Sequence, residues 1–415
     1  MKLRGFAALA AIALIALNAN SAVAKNQPED IFSSTSLSQI TIHLSTASAG
    51  KISASPKVAV PATFDIKSDN GISFTNLPID FHLKGTSTLV QNPSLTANRP
   101  SIRVVFHPGG FLKLGFLGNL KSLTLNSMSQ DASKIHEYSA YKLYNAMNVP
   151  APRVGYAKIT VDIGGRSYDK GLFAIIEPYD ETFASARFAT HTQHIYEPCN
   201  HWTDVTKAGA AKGGADCTNS IFEVKSGWSK APNKLDLKAL AEIQKLKGAD
   251  WWQAMQRYTD RSEFVRMWAV ENFISAWDSY SGAIVNNYYL RTDNLGVFTM
   301  MPTGPDETFE YNFKMDALSI GYPLIYSDFK VQSKGRGYMF TRCLQYQPCL
   351  NEYLDDLKAA KAAAAKIDLV GKMKAIATFI NSKSTDGSIW AQQAAENWVG
   401  MKGQDVVALL KKYGR

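Results

Sequence analysis

Between Asp278 and Asp306 the chain reads Asp278-Ser-Tyr-Ser-Gly-Ala-Ile-Val-Asn-Asn287-Tyr-Tyr-Leu290 and then, after a polar turn, Val297-Phe-Thr-Met-Met-Pro-Thr-Gly-Pro-Asp306. Two short apolar runs about a turn predict a β-hairpin over 286–301. An acid stands before it, two amides open it and a second acid stands after it. The hairpin therefore carries the chain from one set of ligand-type side chains to another, and no other segment collects so many of them.

The ends of the chain bound where such a protein works. Lys2 and Arg4 precede an apolar run from Phe6 to Leu17, and Ala22-Val-Ala24 has the small-residue form of a cleavage site. This predicts a secretory signal peptide over 1–24, because the run is shorter than the ~20 residues of a spanning helix. No later stretch reads as a transmembrane segment, so the mature chain is expected to be exported, periplasmic or extracellular. Removing Lys2 and Arg4 takes the formal charge from +9 to +7. That mild excess suits a phosphorylated ligand or an anionic surface, but no basic block resembles an arm for a nucleic-acid polymer.

Four cysteines, Cys199, Cys217, Cys343 and Cys349, remain in an exported chain. An even count there points to disulfides, with three connectivities possible. The close pairs Cys199–Cys217 and Cys343–Cys349 are favoured, each stapling one local loop. His191, His194 and His201 crowd around Cys199, but without the paired short spacings of a zinc site.

Periodicity divides the rest. Alternating runs at 40–44, 63–66, 79–83, 101–106 and 122–125 predict strands. Asp131 to Met147 has helical spacing, with Asp131 as its cap and Pro150 and Pro152 as its stop. Gly164-Gly165 lies within a longer loop between the strands 154–162 and 171–177. Residues 207–215 read as a loop, and Lys334-Gly-Arg-Gly337 as a turn. Helices are expected over 235–247, 249–259, 261–277 and much of 350–415, with an alanine-rich surface segment at 355–366. Trp251, Trp252, Trp268 and Trp277 fit core positions. The plan is α+β, divided into the leader, a β-rich extension over 25–75 and a main domain over 76–415.

At this level of detail the residues resemble a known family. Lys84-Gly-Thr-Ser87 is similar to an RGxS element, and Arg99-Pro-Ser-Ile-Arg103 to the basic strand that follows it. Leu143 to Arg153 resembles a helix ending in a "GVPAPR" turn. Gly171 to Asp180 resembles "GLYLLVEQID", Phe222-Glu-Val-Lys225 resembles "YELK", and Asp278 to Leu290 resembles "D…NYYLY". Pro302 to Phe309 resembles "PWDLDxxF". In this order, over roughly 79–400, the motifs resemble those of the spore-coat protein H (CotH) kinase family, a group of atypical protein kinases. The chain departs from the pattern at Lys84 (arginine in the family), Arg99 (lysine), Thr303 (tryptophan) and Gly304 (aspartate).

The resemblance implies a two-lobed atypical kinase fold, with an N-lobe near 76–180 and a C-lobe near 181–415. It also implies ATP and magnesium as cofactors and, as partner, an exported protein offering Ser or Thr hydroxyls. Phosphoryl transfer needs an acid to orient the acceptor hydroxyl and oxygen ligands for the metal. Asp278, expected to end the helix bearing Phe264, Val265, Trp268 and Phe273, is the candidate for the first role. Asn287, or its neighbour Asn286, and Asp306 are candidates for the second, with Glu307 and Glu310 nearby. Lys84, Arg99 and Arg103 are candidates for the cation on the phosphates. Glu137 is a possible partner for that cation, although an exposed helix charge is the simpler reading. Glu177 stands where a hinge would meet the base, and Lys225 could reach a phosphate. The departures support an alternative, a secreted binding or adhesion protein on a degenerate kinase scaffold.

Overall fold

In the strand Ser73–Lys84, Leu77, Ile79, Phe81 and Leu83 are buried while Pro78, Asp80, His82 and Lys84 stand on the opposite face. That period of two is what a sheet closed around an apolar interior demands. The computed structural model describes residues 31–85, 89, 94–107, 120–206, 210–310 and 337–415. The signal-peptide reading, Thr86 and Ser87, Lys207 to Gly209 and residues 334–336 lie outside these described residues.

Seven strands form a closed barrel in the order β1-β2-β3-β4-β5-β7-β6. They are β1 (Leu37–Leu44), β2 (Val60–Ser68), β3 (Ser73–Lys84), β4 (Ser101–Phe106), β5 (Ser122–Asn126), β6 (Val154–Ile163) and β7 (Arg166–Ile176). β1 closes the barrel by pairing in parallel with β6, from Leu37 opposite Tyr156 to Leu44 opposite Ile163. Ile42, Phe64, Phe81, Val104, Leu125, Ile159 and Phe173 belong to the core of this barrel. The expected extension over 25–75 does not stand apart: β1 and β2 are barrel strands, and the 75/76 boundary falls inside β3. Their apolar residues share one core with the remaining strands and with Ile52 of the helix that follows β1. Between β6 and β7 the loop is the two glycines alone, Gly164 (φ 59°) and Gly165 (φ 89°). Positive φ at both central residues is the two-residue hairpin turn, tighter than the expected loop.

A helix, α1 (Thr46–Ala54), follows β1, and α2 (His136–Ala146) links β5 to β6. The latter starts later than its predicted cap. Asp131 lies five residues upstream, where its Oδ2 accepts from His136 N at 2.9 Å. After α3 (Glu181–Arg187), a second sheet has the order β11-β10-β8-β9, built from β8 (Thr192–Pro198), β9 (Phe222–Ser226), β10 (Tyr288–Asp293) and β11 (Phe298–Pro302). The predicted hairpin is β10–β11. The remaining helices are α4 (Leu235–Ile243), α5 (Gly248–Tyr258), α6 (Arg261–Phe273), α7 (Tyr338–Gln345), α8 (Gln347–Lys366), α9 (Leu369–Lys383) and α10 (Ile389–Lys412). Buried Trp251 and Trp268 are part of the core that joins these helices to Val154, Tyr156 and Leu172 of the barrel. The alanine-rich stretch is not wholly superficial, because Ala360 and Ala364 face that core. None of the described helices is long and apolar enough to cross a membrane. The cysteines pair as Cys199–Cys217 and Cys343–Cys349, with Cα–Cα distances of 5.5 and 5.0 Å.

Candidate functional site

Helix α6 ends at Phe273, before Asp278, and Ser275 turns the chain with φ 60°. Asp278 therefore sits in a turn beyond the helix rather than at its end. That turn is held from beneath: Ser281 N donates to buried Glu271 Oε2 at 2.9 Å, and Ala283 N to Trp277 O at 2.6 Å. A Cβ on Gly282 would stand 2.3 Å from Trp277 O, so only glycine passes there.

Asn287 ties this turn to the far end of the hairpin. Its Nδ2 lies 3.1 Å from Asp278 Oδ2, 2.8 Å from Asp278 O and 3.3 Å from Gly304 O. Asn286 Nδ2 also donates to Asp278 Oδ2, at 3.1 Å. Thr303 N donates to Asn287 O at 3.0 Å. Asp278 Oδ1 is shielded and makes no hydrogen bond among the described residues; His201 Nδ1 lies 3.9 Å from it. Burial pushes the Asp278 carboxyl above the usual range, against the amide bonds and the charge of His201. Gly304 has φ +57°, and a Cβ there would meet Asn287 Oδ1 at 3.0 Å.

Asp306 is two residues past Gly304. Burial, then the charges of Glu137 and Glu307, push its carboxyl well up. Glu137 is buried in the first turn of α2, not exposed. Its Oε2 accepts from Asn126 Nδ2 at 2.9 Å. Burial, with Asp131 adding to it and Asn126 and Lys84 opposing it, raises Glu137 to about 7. Lys84 thus acts electrostatically on Glu137 from the end of β3.

The same barrel face carries a second group. His82 is directly opposite Arg103 in the β3–β4 ladder, so strand parity places Lys84, His82 and Arg103 on one side. Arg103 donates to Thr124 Oγ1 at 3.0 Å and Ser122 Oγ at 2.8 Å. The pairing of β8 with β9 shifts register between Ile195 and Tyr196, so Tyr196 is opposite Val224, Ile195 is opposite Ser226, and Lys225 falls in the irregularity. A bulge re-aims a side chain, and Lys225 Nζ lies 3.1 Å from Glu197 and 3.0 Å from Glu223. Burial alone would lower Lys225, but the two glutamates outweigh it and raise its pKa. Glu197 is shifted the other way, below its ordinary range: Lys225 and Lys84 overcome the opposing effect of burial. His82 is lowered to about 4, first by burial and then by Arg103 and Lys225.

Two sequence candidates lie elsewhere. Arg99 donates through Nη1 to Asp386 at 2.7 Å and through Nη2 to Leu172 O at 2.6 Å, so it clamps β7 to the α9–α10 connection. The Glu177 carboxylate is taken by Arg153, at 2.9 Å, and by Arg187. His201, Glu197 and Glu223 were not picked out as site residues from sequence. His201 carries one sequence signal, its place beside Cys199, and that signal reads as a surface histidine near a disulfide rather than as a neighbour of Asp278. A cavity of about 470 Å³ between α8, α9 and α10, lined by Phe273, Ala364, Leu369, Val399 and Gly403, contains none of these groups.

No curated protein matches the chain. Among solved structures it is similar to that titled "Crystal structure of A Helicobacter pylori proinflammatory kinase CtkA", with 9% identity over 74% of this chain and 88% of that one and a TM-score of 0.35. A superposition that loose fixes no shared detail. The family model described as CotH kinase protein matches residues 82–413. That span holds the ladder bearing Lys84 and Arg103, the β8–β9 bulge and the Asp278–Asp306 turn, and the chain belongs to the CotH kinase family.

Proposed function

We propose that the protein is an exported kinase that transfers the γ-phosphoryl group of ATP, with magnesium, to a Ser or Thr hydroxyl of another exported protein. The observation that carries this reading is the meeting of Asp278, Asn287 and the 303–306 segment through one amide side chain. The donor set fits a hard cation. Asp306 is a buried carboxyl whose pKa is raised by burial and then by the charge of Glu137, an arrangement that gains from positive charge, and oxygen ligands of this type suit magnesium.

In this reading Asp306, with Asn287 Oδ1, would hold the ion, which when bound neutralises charge on the phosphates. Asp278 orients the acceptor hydroxyl with its unbonded Oδ1, while the two amides fix Oδ2. Lys84, whose charge acts on both Glu137 and Glu197, would be the phosphate cation, and Arg103 and Lys225, which both act on His82, would supply further positive charge. The barrel would form most of one lobe and the helical part the other. Two disulfides support an oxidising compartment.

The test is a thermal-shift titration with ATP and magnesium, followed by phosphate incorporation into acceptor protein. A shift that needs the metal, and incorporation lost in a folded Asp278→Ala variant, are the expected results. Gly304 favours a second reading, a binding or adhesion module on this scaffold, since one family acid is absent and its place is closed by Asn287. No shift at millimolar nucleotide would select that reading.

A further inference from the structure

Helix α2 opens with two consecutive residues that both turn toward the Asp306 segment. Glu137 does so by charge. His136 does so by a hydrogen bond, with Nδ1 2.8 Å from the carbonyl oxygen of Asp306. The acceptor is a carbonyl, so Nδ1 carries the proton. The ring is buried, with 2% of its side chain exposed. It is also held from its own side, because Asp131 takes His136 N on Oδ2 at 2.9 Å and stands with Oδ1 3.4 Å from Nδ1. Asp131 is itself anchored by Ser133 N at 2.8 Å.

The segment that His136 grips is tied at other points as well. Thr308 Oγ1 closes it locally on Pro305 O at 2.8 Å, and Phe309 N donates to Ile274 O at 2.7 Å. The Phe309 ring lies 5.9 Å from the His136 ring. The bond from His136 thus joins α2 to the main chain of Asp306 itself, between the ties at 305 and 309. Rotation of that peptide would carry the Asp306 carboxyl away from Glu137.

We propose that His136 is a positioning residue: its ring N–H fixes the Asp306 peptide against the first turn of α2 and so sets where the Asp306 carboxyl stands relative to Glu137 and Asn287. The consequence for metal and nucleotide rests on the kinase reading above. The contact itself does not, and the two are tested apart.

Hydrogen exchange is measured on the full chain without ligand, for wild type, His136→Asn and His136→Leu. Leucine keeps bulk and removes the donor, whereas asparagine keeps an N–H near Nδ1. The expected result is exchange about tenfold faster over 305–309 in the leucine variant, the effect of one lost hydrogen bond of about 1.4 kcal/mol, and near wild-type exchange in the asparagine variant. If leucine unfolds the chain globally, His136→Met carries the same comparison. Unchanged exchange in the donor-less variants, or equal loosening in asparagine and leucine, overturns the proposal. In parallel, the magnesium concentration that half-saturates the ATP-dependent thermal shift should rise several-fold in the leucine variant and recover in the asparagine variant. A wild-type protein indifferent to ATP and magnesium, with the exchange contrast intact, removes the kinase reading and leaves the positioning contact standing.

Discussion

Asn287 and Gly304 share one small volume: residue 304 has φ +57°, and a Cβ on it would stand 3.0 Å from Oδ1 and 3.3 Å from Nδ2 of Asn287. The amide that fastens the Asp278 turn can lie where it does because nothing projects from position 304. Gly304→Ala is therefore expected to cost about 1–2 kcal/mol from left-handed backbone alone, and to displace Asn287 as well. A lowered melting temperature together with loss of the magnesium-dependent ATP shift is the expected outcome. A variant with wild-type values for both would show that Asn287 is not constrained from this side.

Glu137 gives a pH signature in the metal-free protein. Its folded pKa, raised to about 7 from 4.5 chiefly by burial, means that the native state binds this proton more tightly than the unfolded chain. Stability from this group is fully present below 4.5 and is lost as pH rises toward about 7, by about 2–3 kcal/mol. Glu137→Gln keeps an acceptor for Asn126 and removes the titration. Its melting temperature should fall less than that of wild type between pH 4.5 and 7.5, while its response to ATP with magnesium weakens.

His194, away from the site, also loses its contribution as pH rises, but here the fold favours the charged form. Nδ1 is 2.7 Å from Asp236 Oδ2 and Nε2 is 2.8 Å from Ala231 O. Both ring nitrogens face oxygens, so the fully buried ring carries both protons. Burial and the charge of Lys234 lower its pKa, but the Asp236 and Ala231 bonds prevail and raise it. Asp236, which also accepts from Tyr196 and Thr292, is lowered by these partners despite burial. The histidine contribution is whole below its unfolded value of 6.5 and is lost as pH rises through the higher folded value. Asp236 contributes above its unfolded value of 3.8 and loses that contribution as pH falls through its lower folded value. His194→Leu should cost about 3 kcal/mol near neutrality and abolish the alkaline part of the melting-temperature decline. A decline that persists unchanged in the variant would assign it to another group.

Arg99 and Lys225 separate frame from site. Arg99→Ala removes its ion pair with Asp386 and the bond to Leu172 O, and should lower stability by about 1–2 kcal/mol without altering the nucleotide response. Lys225→Ala should do the reverse: a small change in melting temperature, because Lys225, Glu197 and Glu223 all remain partly exposed to water, and a weaker response to ATP. Calorimetric melts with and without ATP and magnesium decide between them.

Much of the fold was legible because it depends on neighbours in the chain. The period of two in 79–83 and 101–106, the helical spacing after residue 131 and the short cysteine intervals each describe contacts made nearby. Asp278 lies beyond the expected helix for a related reason. The helical spacing ran on to residue 277, but the buried Glu271 carboxyl bonds Ser281 N and draws the chain into a turn.

Charge pairing was the part that local pattern could not supply. Arg99 and Arg103 lie four residues apart on one basic stretch, yet Arg99 meets Asp386 and Arg103 stands on the barrel face with His82 and Lys84. Glu137 reads as a surface charge on its helix until β5 and the Asp306 segment close over it. Periodicity marked most barrel strands, the helix after residue 131 and the helices from residue 235 on, but not α1, α3 or β8, and the motifs pointed to the family. Closure of the barrel and docking of the hairpin decided which ionisable groups lose water and which partner each one finds. Desolvation and pairing depend on groups brought together from distant parts of the chain, and this is why only the tertiary structure could assign them.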